Sequence, residues 1–521
     1  MSRIGGSANL RLGTPAILAG LLLAGSFPKF GLPALAWIAV SPLIVAIVLA
    51  VRRPTTTAWT WFLLGLLSGL LYFAGTLYWV VNVMITFGGL AVPVAVLVGA
   101  LLVVYLALYP ALFGVLLGYS VRRGGLGMLW LAPVFWVATE WVRSWMGGGF
   151  PWALVGASQA AVLPIVQLAS VTGVYGLSFL VVLVSTAAAA LVLTPARAHR
   201  IGAAGVAALL ILVAVLGAMR VARSPLTRTG PAVRVGLVQG NIDQERKWNP
   251  AFRDEILNGY LALSRRVIDG GASLVVWPEA ATPFFFDAES ALAAPVRQLA
   301  ASTSTPFIIG TDEIERGTSG APDRYYNAAV LVGADGQSRR PYRKMQLVPF
   351  GEYVPLKPLL FFVGPLVEAV SDFSAGTDAV VFDADGRRIS VAICYEVVYP
   401  SIARAFVHEG SELLATITND AWFGRSSAPY QHFEQASLRA VENGRYLVRA
   451  ANTGISGAVD PYGRVLAATA LFEPAAIIVD VRLLDHRTVY TYIGDLAAWL
   501  SAAATGGVVV SLRRRRPPPP G

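Results

Sequence analysis

The sequence predicts a membrane-embedded bundle of eight α-helices joined to a water-exposed α/β domain in which strands and helices alternate. Three observations predict this fold. Of the 521 residues, 55% are hydrophobic and only 14% are charged, whereas soluble globular proteins carry about 25% charged residues. Eight stretches are apolar and long enough to cross a bilayer. Between the seventh and the eighth of them, short apolar runs alternate with helical patterns.

The predicted spans are assigned by length, because crossing the hydrocarbon core takes about 20 predominantly apolar residues. They cover about 10–27, 31–51, 57–80, 89–120, 126–145, 169–194, 201–221 and 490–512. We therefore expect a seven-span bundle over residues 1–225, an eighth helix over 490–512, and a basic, proline-rich tail over 513–521. Between spans five and six, residues 147–167 are apolar and rich in turn formers, which predicts either a loop packed over the bundle or an element lining a lipid entrance.

Charged residues in the short loops predict the orientation of the spans. Arginines follow spans two, four, six and eight, at Arg52–Arg53, Arg122–Arg123, Arg197 with Arg200, and Arg513–Arg516, whereas the alternate short loops carry almost no charge. Cytoplasmic loops of membrane proteins are enriched in lysine and arginine. The pattern predicts that both termini are cytoplasmic and that the domain between spans seven and eight is extracytoplasmic.

The formal net charge of +10 does not indicate a nucleic-acid-binding protein, because the charge is divided unequally along the chain. Residues 231–490 hold 24 basic and 29 acidic residues, and the other 261 residues hold 17 basic and two acidic ones. A nucleic-acid-binding domain concentrates basic residues on one of its own faces. Here the polar domain is net acidic, so we expect no nucleic-acid partner.

Residues 231–485 form the predicted α/β domain. Seven apolar runs of four to eight residues have the length and composition of buried strands. They cover 233–238, 273–276, 306–309, 328–332, 389–393, 413–418 and 446–451, and helical patterns cover 252–268, 400–409 and 431–442. Alternation of this kind over about 260 residues predicts a layered α/β domain.

Candidate catalytic residues follow the ends of these predicted strands. Glu279 follows the run 273–276, and Cys394, the one cysteine of the sequence, follows the run 389–393. Ligands of open α/β sheets bind beyond the carboxyl ends of strands. A lone cysteine excludes an intrachain disulfide and is either a buried apolar residue or a nucleophile. A third segment, residues 342–355, is too rich in proline and glycine for a helix.

Motifs in these segments resemble a known family. Trp277-Pro278-Glu279, the run from Lys344 to Glu352, and Ile393-Cys394-Tyr395-Glu396 resemble the Glu–Lys–Cys triad motifs of the nitrilase superfamily. The chain resembles the apolipoprotein N-acyltransferase family in three features: the run Leu-Val-Pro-Phe-Gly-Glu, the run Asn-Asp-Ala-Trp-Phe-Gly and the eight predicted spans. The resemblance covers essentially the whole chain. One departure is Gln346, where the family often has histidine.

The resemblance implies a multi-pass enzyme of the bacterial cytoplasmic (inner) membrane. Such an enzyme moves an acyl chain from a membrane phospholipid to the α-amino group of the diacylglyceryl-cysteine of an apolipoprotein. The resemblance also implies a nitrilase-type α-β-β-α sandwich for residues 231–485, and neither a metal nor an organic cofactor. We expect the chain to act as a monomer.

The resemblance further implies roles for individual residues. Cys394 would form a thioester, which divides one difficult step into two, and Glu279 would act as general base. Lys344, with a backbone N–H near Tyr395, would stabilise the oxyanions, and Lys344 would also favour the Cys394 thiolate. Glu352 and Glu396 would hold Lys344 and Glu279 in place, although a structural salt bridge is the alternative for either.

Five further residues are candidate substrate contacts. Trp248, Asn419 and Trp422 are expected at the substrate mouth or the acyl pocket, although surface packing or an Asn-Asp turn explains them about equally well. The run 356–367, which contains Phe361 and Phe362, is unusually apolar for a water-exposed domain. Exposed apolar patches mark membrane or partner contacts, so this run predicts a lid that dips into the bilayer surface.

Two other functions are compatible with parts of the pattern. A membrane-tethered nitrilase-type amidase that hydrolyses a small C–N substrate would share the triad, but it would not need the membrane half or the run 356–367. A transporter with a soluble sensor domain would need ionisable residues within its spans. Glu140 and Arg143 are the clear candidates, and they stand one turn apart on one helix, where we expect them to pair with each other.

Overall fold

The structure, a computed structural model, describes residues 4–317, 322–349, 351–353 and 373–514, with side chains from residue 12 onward. The chain folds as two compact units. One comprises the residues before 87, residues 90–222 and the residues from 493 onward, and the other comprises residues 87–89 and 223–492.

The first unit is helical. Its helices before residue 224 are α1 (Ile4–Gly25), α2 (Ala36–Ala39), α3 (Ser41–Val51), α4 (Ala58–Leu77), α5 (Trp79–Thr86), α6 (Val92–Gly124), α7 (Ala132–Arg143), α8 (Leu163–Val166), α9 (Ala169–Leu193) and α10 (Arg197–Arg223). Small residues allow some of these helices to pack closely. A Cβ atom added to Gly65 of α4 would lie 2.2 Å from the carbonyl oxygen of Pro110 in α6.

Six helical segments in the described part of the chain are long and apolar enough to cross a membrane. They are Pro33–Val51, Ala58–Leu77, Val92–Gly124, Ala169–Leu193, Arg197–Thr227 and Leu496–Arg514. The two remaining predicted spans, 10–27 and 126–145, coincide with α1, whose side chains the structure describes from Leu12 to Gly25, and with α7, which has 12 residues. The structure therefore supports a multi-pass bundle, and the count of eight stays a prediction.

The segment between α7 and α8 has no continuous helix, as its glycines and Pro151 predict. Arg143 of α7 binds its backbone: the guanidinium donates hydrogen bonds of 2.7–3.2 Å to the carbonyls of Phe150, Trp152 and Ala153. Glu140 accepts a bond of 2.7 Å from the backbone N–H of Val155. Glu140 and Arg143 interact through their charges but form no direct salt bridge in the described structure, because irregular backbone in apolar surroundings needs polar partners and both side chains supply them.

The second unit contains two six-stranded sheets. The first sheet has the order β12-β1-β2-β3-β4-β5 and the second has the order β11-β10-β9-β8-β7-β6. The strands are β1 (Ala232–Gln239), β2 (Leu274–Val276), β3 (Phe307–Glu315), β4 (Arg324–Val332), β5 (Tyr342–Arg343), β6 (Val381–Asp383), β7 (Arg388–Ile393), β8 (Leu413–Thr418), β9 (Leu447–Ala451), β10 (Gly457–Val459), β11 (Val465–Ala468) and β12 (Ala475–Arg482). Strands β1–β3 pair in parallel, as do β7–β9, and the outer strands pair antiparallel.

Helices pack on both sheets. The helices that follow β1 in the chain are α11 (Gln244–Lys247), α12 (Arg253–Asp269), α13 (Ser290–Thr303), α14 (Pro400–His408), α15 (Ala428–Asn443) and α16 (Val489–Ile493), after which α17 (Leu496–Arg514) belongs to the first unit. Helix α12 packs on β1, β2 and β12, helices α14 and α15 pack on β7 and β9, and the sheets meet through β1 with β9 and β4 with β7. This layering is the α-β-β-α sandwich that the resemblance implied.

All seven strands predicted from the sequence are present, as β1–β4 and β7–β9. The sequence analysis missed β5, β6 and β10, which have two or three residues each, and also β11 and β12. Strands this short lack a recognisable period, and β11 is mostly exposed. The missed strands all lie outside the two parallel cores, so the predicted ends of β2 and β7, which precede Glu279 and Cys394, are unaffected.

Candidate active site

The three predicted catalytic residues follow strands of the two facing sheets. Glu279 comes three residues after β2, Lys344 directly follows β5, and Cys394 directly follows β7. All three side chains are buried, with 6%, 1% and 8% of their surface exposed. Strands β2 and β7 belong to different sheets. Because the two sheets are in contact, the carboxyl ends of β2 and β7 meet in one polar cluster.

A buried aromatic residue fixes the strand end that carries Glu279. Trp277 is fully buried and stacks on Tyr260 of α12 at a centroid distance of 4.8 Å. Its indole N–H donates a hydrogen bond of 2.8 Å to the Ser264 hydroxyl. Gly310 of β3 lies against the turn, since an added Cβ would stand 2.6 Å from the Cα atom of Glu279. A large anchored side chain and a glycine thus set the position of the candidate base.

Lys344 lies between two carboxylates. Its ammonium group donates a hydrogen bond of 2.8 Å to Glu352 and a longer one of 3.4 Å to Glu279. Burial alone would lower the pKa of Lys344, but the charges of Glu352 and Glu279 outweigh it and raise that pKa. Lys344 therefore stays cationic, and its shorter contact is with the carboxylate that is not the candidate base.

Asn327 of β4 connects the same two carboxylates. Its amide nitrogen donates hydrogen bonds of 2.7 Å to Glu279 and 2.8 Å to Glu352. Its backbone carbonyl accepts the N–H of Lys344 at 2.8 Å. One residue of the strand thus positions all three charged groups. The sequence analysis did not identify Asn327, although a polar residue just before the buried apolar run 328–332 is the signal that could have found it.

Asn419 holds the second oxygen of Glu279. Its backbone N–H donates a hydrogen bond of 2.9 Å to that oxygen. Its side chain bonds to Gln244 at 2.9 Å and accepts from Asn452 at 3.1 Å. Both polar ends of the Asn419 side chain are therefore used within the protein, which favours the positioning turn over the predicted role in an acyl pocket.

Cys394 stands at a sharp turn from β7 into a short 3₁₀ helix, Cys394–Val398, and has a left-handed φ of 51°. Burial raises the pKa of its thiol, the Glu279 carboxylate raises it further, and the Lys344 ammonium lowers it by less. Lys344 thus acts in the expected direction, towards the thiolate, but burial and Glu279 outweigh it. The thiol keeps its proton until a base removes it.

The two supporting glutamates act differently. Glu352 binds Lys344 directly, as expected, and its other oxygen accepts the Val348 N–H at 2.8 Å. Glu396 instead accepts bonds from the Tyr342 hydroxyl at 2.7 Å and from the backbone N–H groups of Met345, Gln346 and Ile393 at 2.6–3.1 Å. Glu396 thus joins the Lys344 segment to the Cys394 turn through the backbone, so it holds Lys344 in place without a hydrogen bond to the ammonium group itself.

The remaining predicted site residues have less specific surroundings. Tyr395 is buried, and its ring meets Tyr399 edge to face at 5.3 Å. Trp248 is 52% exposed at the end of α11, and Trp422 is 40% exposed with its ring 4.9 Å from Phe87. Phe361 and Phe362, with the whole predicted lid 356–367, lie outside the described residues.

A second buried lysine lies beside Glu279, and the sequence analysis missed it. The Lys247 ammonium is 3.4 Å from the backbone carbonyl of Glu279. Burial lowers the pKa of Lys247 to about 8, although the charges of Glu279 and Asp312 oppose that shift. The neighbouring Trp248 was predicted from the sequence as a substrate contact, but nothing in the local sequence pattern indicates that Lys247 is buried.

The arrangement provides a thiol nucleophile, a carboxylate base and a fixed ammonium group in a water-poor site. These are the components of acyl transfer through a covalent intermediate. Within the described ranges, no group of three or more His, Cys, Asp or Glu side chains could hold a metal ion.

Comparisons with known proteins match both halves of the chain. The family model described as carbon-nitrogen hydrolase matches residues 234–490, and that described as apolipoprotein N-acyltransferase N-terminal domain matches residues 19–187. An apolipoprotein N-acyltransferase of Geobacter metallireducens is 42% identical over 94% of this chain and 92% of its own length. Another, of Methylococcus capsulatus, is 35% identical over 93% and 92%. Among solved structures, an amidase from Nesterenkonia sp. matches 50% of this chain and 94% of its own, with 23% identity and a TM-score of 0.38.

Proposed function

The chain belongs to the apolipoprotein N-acyltransferase family, and from this premise we propose how its buried site performs the reaction. It is a bacterial multi-pass membrane acyltransferase that N-acylates lipoproteins. We propose that the acyl donor is a membrane phospholipid and that Cys394 carries the acyl chain as a thioester. The acceptor is the α-amino group of the diacylglyceryl-cysteine of the apolipoprotein.

The first half-reaction forms the thioester. Glu279 takes the proton of the Cys394 thiol while the sulfur attacks the ester carbonyl carbon of the phospholipid. The carbonyl oxygen becomes an oxyanion, which the Lys344 ammonium stabilises. The carbon–oxygen ester bond then breaks, Glu279 returns the proton to the leaving oxygen, and a lysophospholipid departs. General base catalysis contributes typically about 10²–10⁴-fold in rate.

The second half-reaction moves the acyl chain to nitrogen. The α-amine attacks the thioester carbonyl carbon, and Glu279 takes the proton that the amine loses. Lys344 stabilises the second oxyanion as it did the first. The carbon–sulfur bond breaks, the sulfur leaves and recovers a proton from Glu279, and the product is an amide. Each oxyanion donor of this kind is worth about 10²–10³-fold in rate.

One observation supports this mechanism: the Lys344 ammonium group contacts both Glu352 and Glu279, beside the protonated thiol of Cys394. Glu352 takes the short contact to Lys344 at 2.8 Å, and Glu279 keeps the longer one at 3.4 Å. A carboxylate held close to a cation is a weaker base. Because Glu352 holds the shorter contact with Lys344, the Glu279 carboxylate is the less tightly bound of the two and is the one that takes the thiol proton.

We also propose the arrangement of the chain in the membrane. Eight spans, seven over residues 1–225 and one over 490–512, would place both termini and the tail 513–521 in the cytoplasm. The catalytic domain, residues 231–485, would lie on the extracytoplasmic side of the bacterial inner membrane, and the chain would act as a monomer. The arginines after alternate spans support this orientation. Fusion of a reporter that fluoresces only in the cytoplasm to residue 521 would test it, and a dark fusion would contradict it.

A small-substrate amidase is the second candidate. It would use the same carbon-nitrogen hydrolase domain, but it leaves the match to the acyltransferase N-terminal domain at residues 19–187 unexplained. It is therefore not better supported than acyl transfer.

One experiment separates the two functions. Purified protein in detergent is incubated with a phospholipid that carries a labelled acyl chain and with a synthetic diacylglyceryl-cysteine peptide. We expect label in the peptide amide with the wild-type protein and none with Cys394→Ala. Hydrolysis of small amides without transfer of label would favour the amidase, and transfer by Cys394→Ala would overturn the proposed nucleophile.

A further inference from the structure

A second buried polar cluster lies directly behind the nucleophile, and the acyl-transfer steps above make no use of it. It consists of His432 in α15, Asp420 just after β8, and Arg449 in β9. All three side chains are completely enclosed. Burying a charged pair and an imidazole ring is costly unless they are paired and hydrogen-bonded, so their contacts indicate what the cluster holds in place.

The hydrogen bonds of His432 lead to the backbone of Cys394. Its Nε2 atom lies 3.0 Å from the carbonyl oxygen of Cys394. On the other side of the ring, the Nδ1 atom lies 3.0 Å from the Arg449 guanidinium and 3.1 Å from Asp420. Asp420 also binds Arg449 at 2.8 Å and accepts the Thr418 hydroxyl at 2.9 Å.

These partners fix the protonation of the ring. A carbonyl oxygen only accepts hydrogen bonds, so Nε2 carries a hydrogen and donates it to Cys394. Burial lowers the pKa of His432, and the Arg449 charge lowers it further. The ring is therefore neutral, and Nδ1 accepts from Arg449. Although burial acts to raise the pKa of Asp420, the Arg449 charge holds it well below its usual range, so Asp420 is the anion that keeps the Arg449 guanidinium beside the ring.

The bond to the Cys394 carbonyl also sets the direction of an N–H group. The carbonyl of Cys394 and the N–H of Tyr395 belong to one planar trans peptide, so they point in opposite directions. The hydrogen bond to His432 holds the Cys394 carbonyl towards the buried cluster. The Tyr395 N–H therefore points away from that cluster. Cys394 has a left-handed φ of 51°, a conformation that non-glycine residues keep only where their surroundings enforce it.

We propose that His432, oriented by Arg449 and Asp420, is a positioning residue that aims the Tyr395 N–H at the oxyanion formed when Cys394 attacks an acyl group. This role rests on the proposed function of Cys394. His432 touches neither the substrate nor the reacting atoms, and it acts through the shared peptide group. Its hydrogen bond also polarises that peptide, since hydrogen bonds in series strengthen one another.

Two substitutions at one position test this role. His432→Gln keeps an amide nitrogen near the place of Nε2, whereas the shorter His432→Asn cannot reach the Cys394 carbonyl. Loss of an oxyanion donor lowers kcat by about 10²–10³-fold, and a misaimed donor costs less. We therefore expect His432→Asn to lower kcat at least roughly tenfold with KM within about twofold, and His432→Gln to restore kcat to within about fivefold of wild type.

His408 offers a matched control, because its Nε2 atom also lies 2.7 Å from a backbone carbonyl, that of Thr491. We expect His408→Asn to turn over at the wild-type rate. A comparable loss in this variant would show that removal of any such bond loosens the domain, and that result would overturn the specific role of His432.

Alkylation of Cys394 by iodoacetamide separates this role from a structural one. Alkylation displaces iodide at a saturated carbon and forms no oxyanion, so its rate in His432→Asn should stay within about twofold of wild type while kcat falls. A parallel fall of both rates, or an unchanged kcat, would overturn the proposal. Failure of the proposed function would appear separately, as a wild-type protein that forms no acyl adduct on Cys394.

Asp420→Asn is the second variant if His432→Asn does not fold. It leaves His432 in place but removes the charge that fixes Arg449, so we expect kcat to fall at least roughly threefold. Alkylation should not slow, because the Asp420 charge raises the pKa of the Cys394 thiol. An unchanged kcat, or a loss shared equally with alkylation, would overturn the proposal.

Discussion

Asn327 gives the sharpest test of how the charged groups of the site are held. Its amide nitrogen donates to Glu279 at 2.7 Å and to Glu352 at 2.8 Å, and its amide oxygen has no hydrogen-bond partner in the described part of the chain. Replacement by leucine, which has nearly the same shape, therefore removes these two bonds and little else. The free energy lost on this substitution reports the value of the bridge between the carboxylates.

The magnitude follows from the two bonds. A hydrogen bond to a charged group contributes about 1.5–3 kcal/mol, so the pair contributes at most about 6 kcal/mol. Both carboxylates keep Lys344 as a partner, which favours the lower end, about 3 kcal/mol of unfolding free energy. Without the bridge, Lys344 and Glu279 are free to move closer to each other, and Glu279 leaves its position beside the thiol. Because a displacement of about 1 Å can cost 10²-fold in rate, we expect kcat to fall roughly 10- to 100-fold.

The assay compares acyl transfer and thermal unfolding of Asn327→Leu in the same detergent. Asn443 provides a matched control, because its amide nitrogen donates one bond of 3.0 Å to the Arg439 carbonyl and its amide oxygen is likewise unpaired in the described structure. We expect Asn443→Leu to lose about 1 kcal/mol of stability and no activity. If Asn327→Leu keeps a kcat within twofold of wild type, the bridge does not position the base.

Two further predictions concern the charges around Cys394. Glu279→Gln should increase the rate at which iodoacetamide alkylates Cys394 at pH 9, and Lys344→Met should decrease it. The reason is that the carboxylate raises the pKa of the thiol and the ammonium group lowers it. Mass spectrometry measures the two rates, and a change of the same sign in both variants would contradict these opposite effects. Glu396→Gln should lower unfolding free energy by about 2–4 kcal/mol, because its amide N–H₂ would face a backbone N–H such as that of Ile393. A melting temperature equal to that of wild type would exclude the four-donor role of Glu396.

The positions of the candidate catalytic residues were predictable because they depend on local pattern. Short apolar runs located β2 and β7, and the residues that follow them, Glu279 and Cys394, are the ones that the structure gathers. The Lys344 segment was recognised by its motif, since its proline and glycine content identified only a non-helical stretch. A strand end is a local feature, and parallel strands bring such ends to one side of a sheet.

The contacts of the site were not predictable, because they join segments distant in sequence. In the sequence, nothing distinguishes Asn327 from other strand residues. Its role follows only from the pairing of β4 with β5, which brings Asn327 beside Lys344. Glu396 stands two residues after Cys394 and was expected to hold the other triad members, but its oxygens bond to backbone N–H groups that only the folded chain supplies. Arg143 was expected to pair with Glu140, and it binds three backbone carbonyls instead.

The net pKa shift of Cys394 was not predictable from the sequence for the same reason. From the sequence, a lysine near a cysteine indicates a thiolate. The structure adds the burial of the thiol and the nearby Glu279 charge, and these two effects are larger than that of Lys344. A pattern of residue types gives the sign of one pair interaction, whereas the net pKa shift depends on burial and on every charge around the group.

Intact-protein mass spectrometry after incubation with phospholipid, without any acceptor, tests the central claim most directly. We predict one acyl group per chain, attached to Cys394. Hydroxylamine should release it, as it releases a thioester, and the group should pass to a diacylglyceryl-cysteine peptide when that peptide is added. Cys394→Ala should show no adduct and no transfer. An unmodified wild-type protein that still transfers acyl groups to the peptide, or a Cys394→Ala variant that does so, would contradict the covalent mechanism.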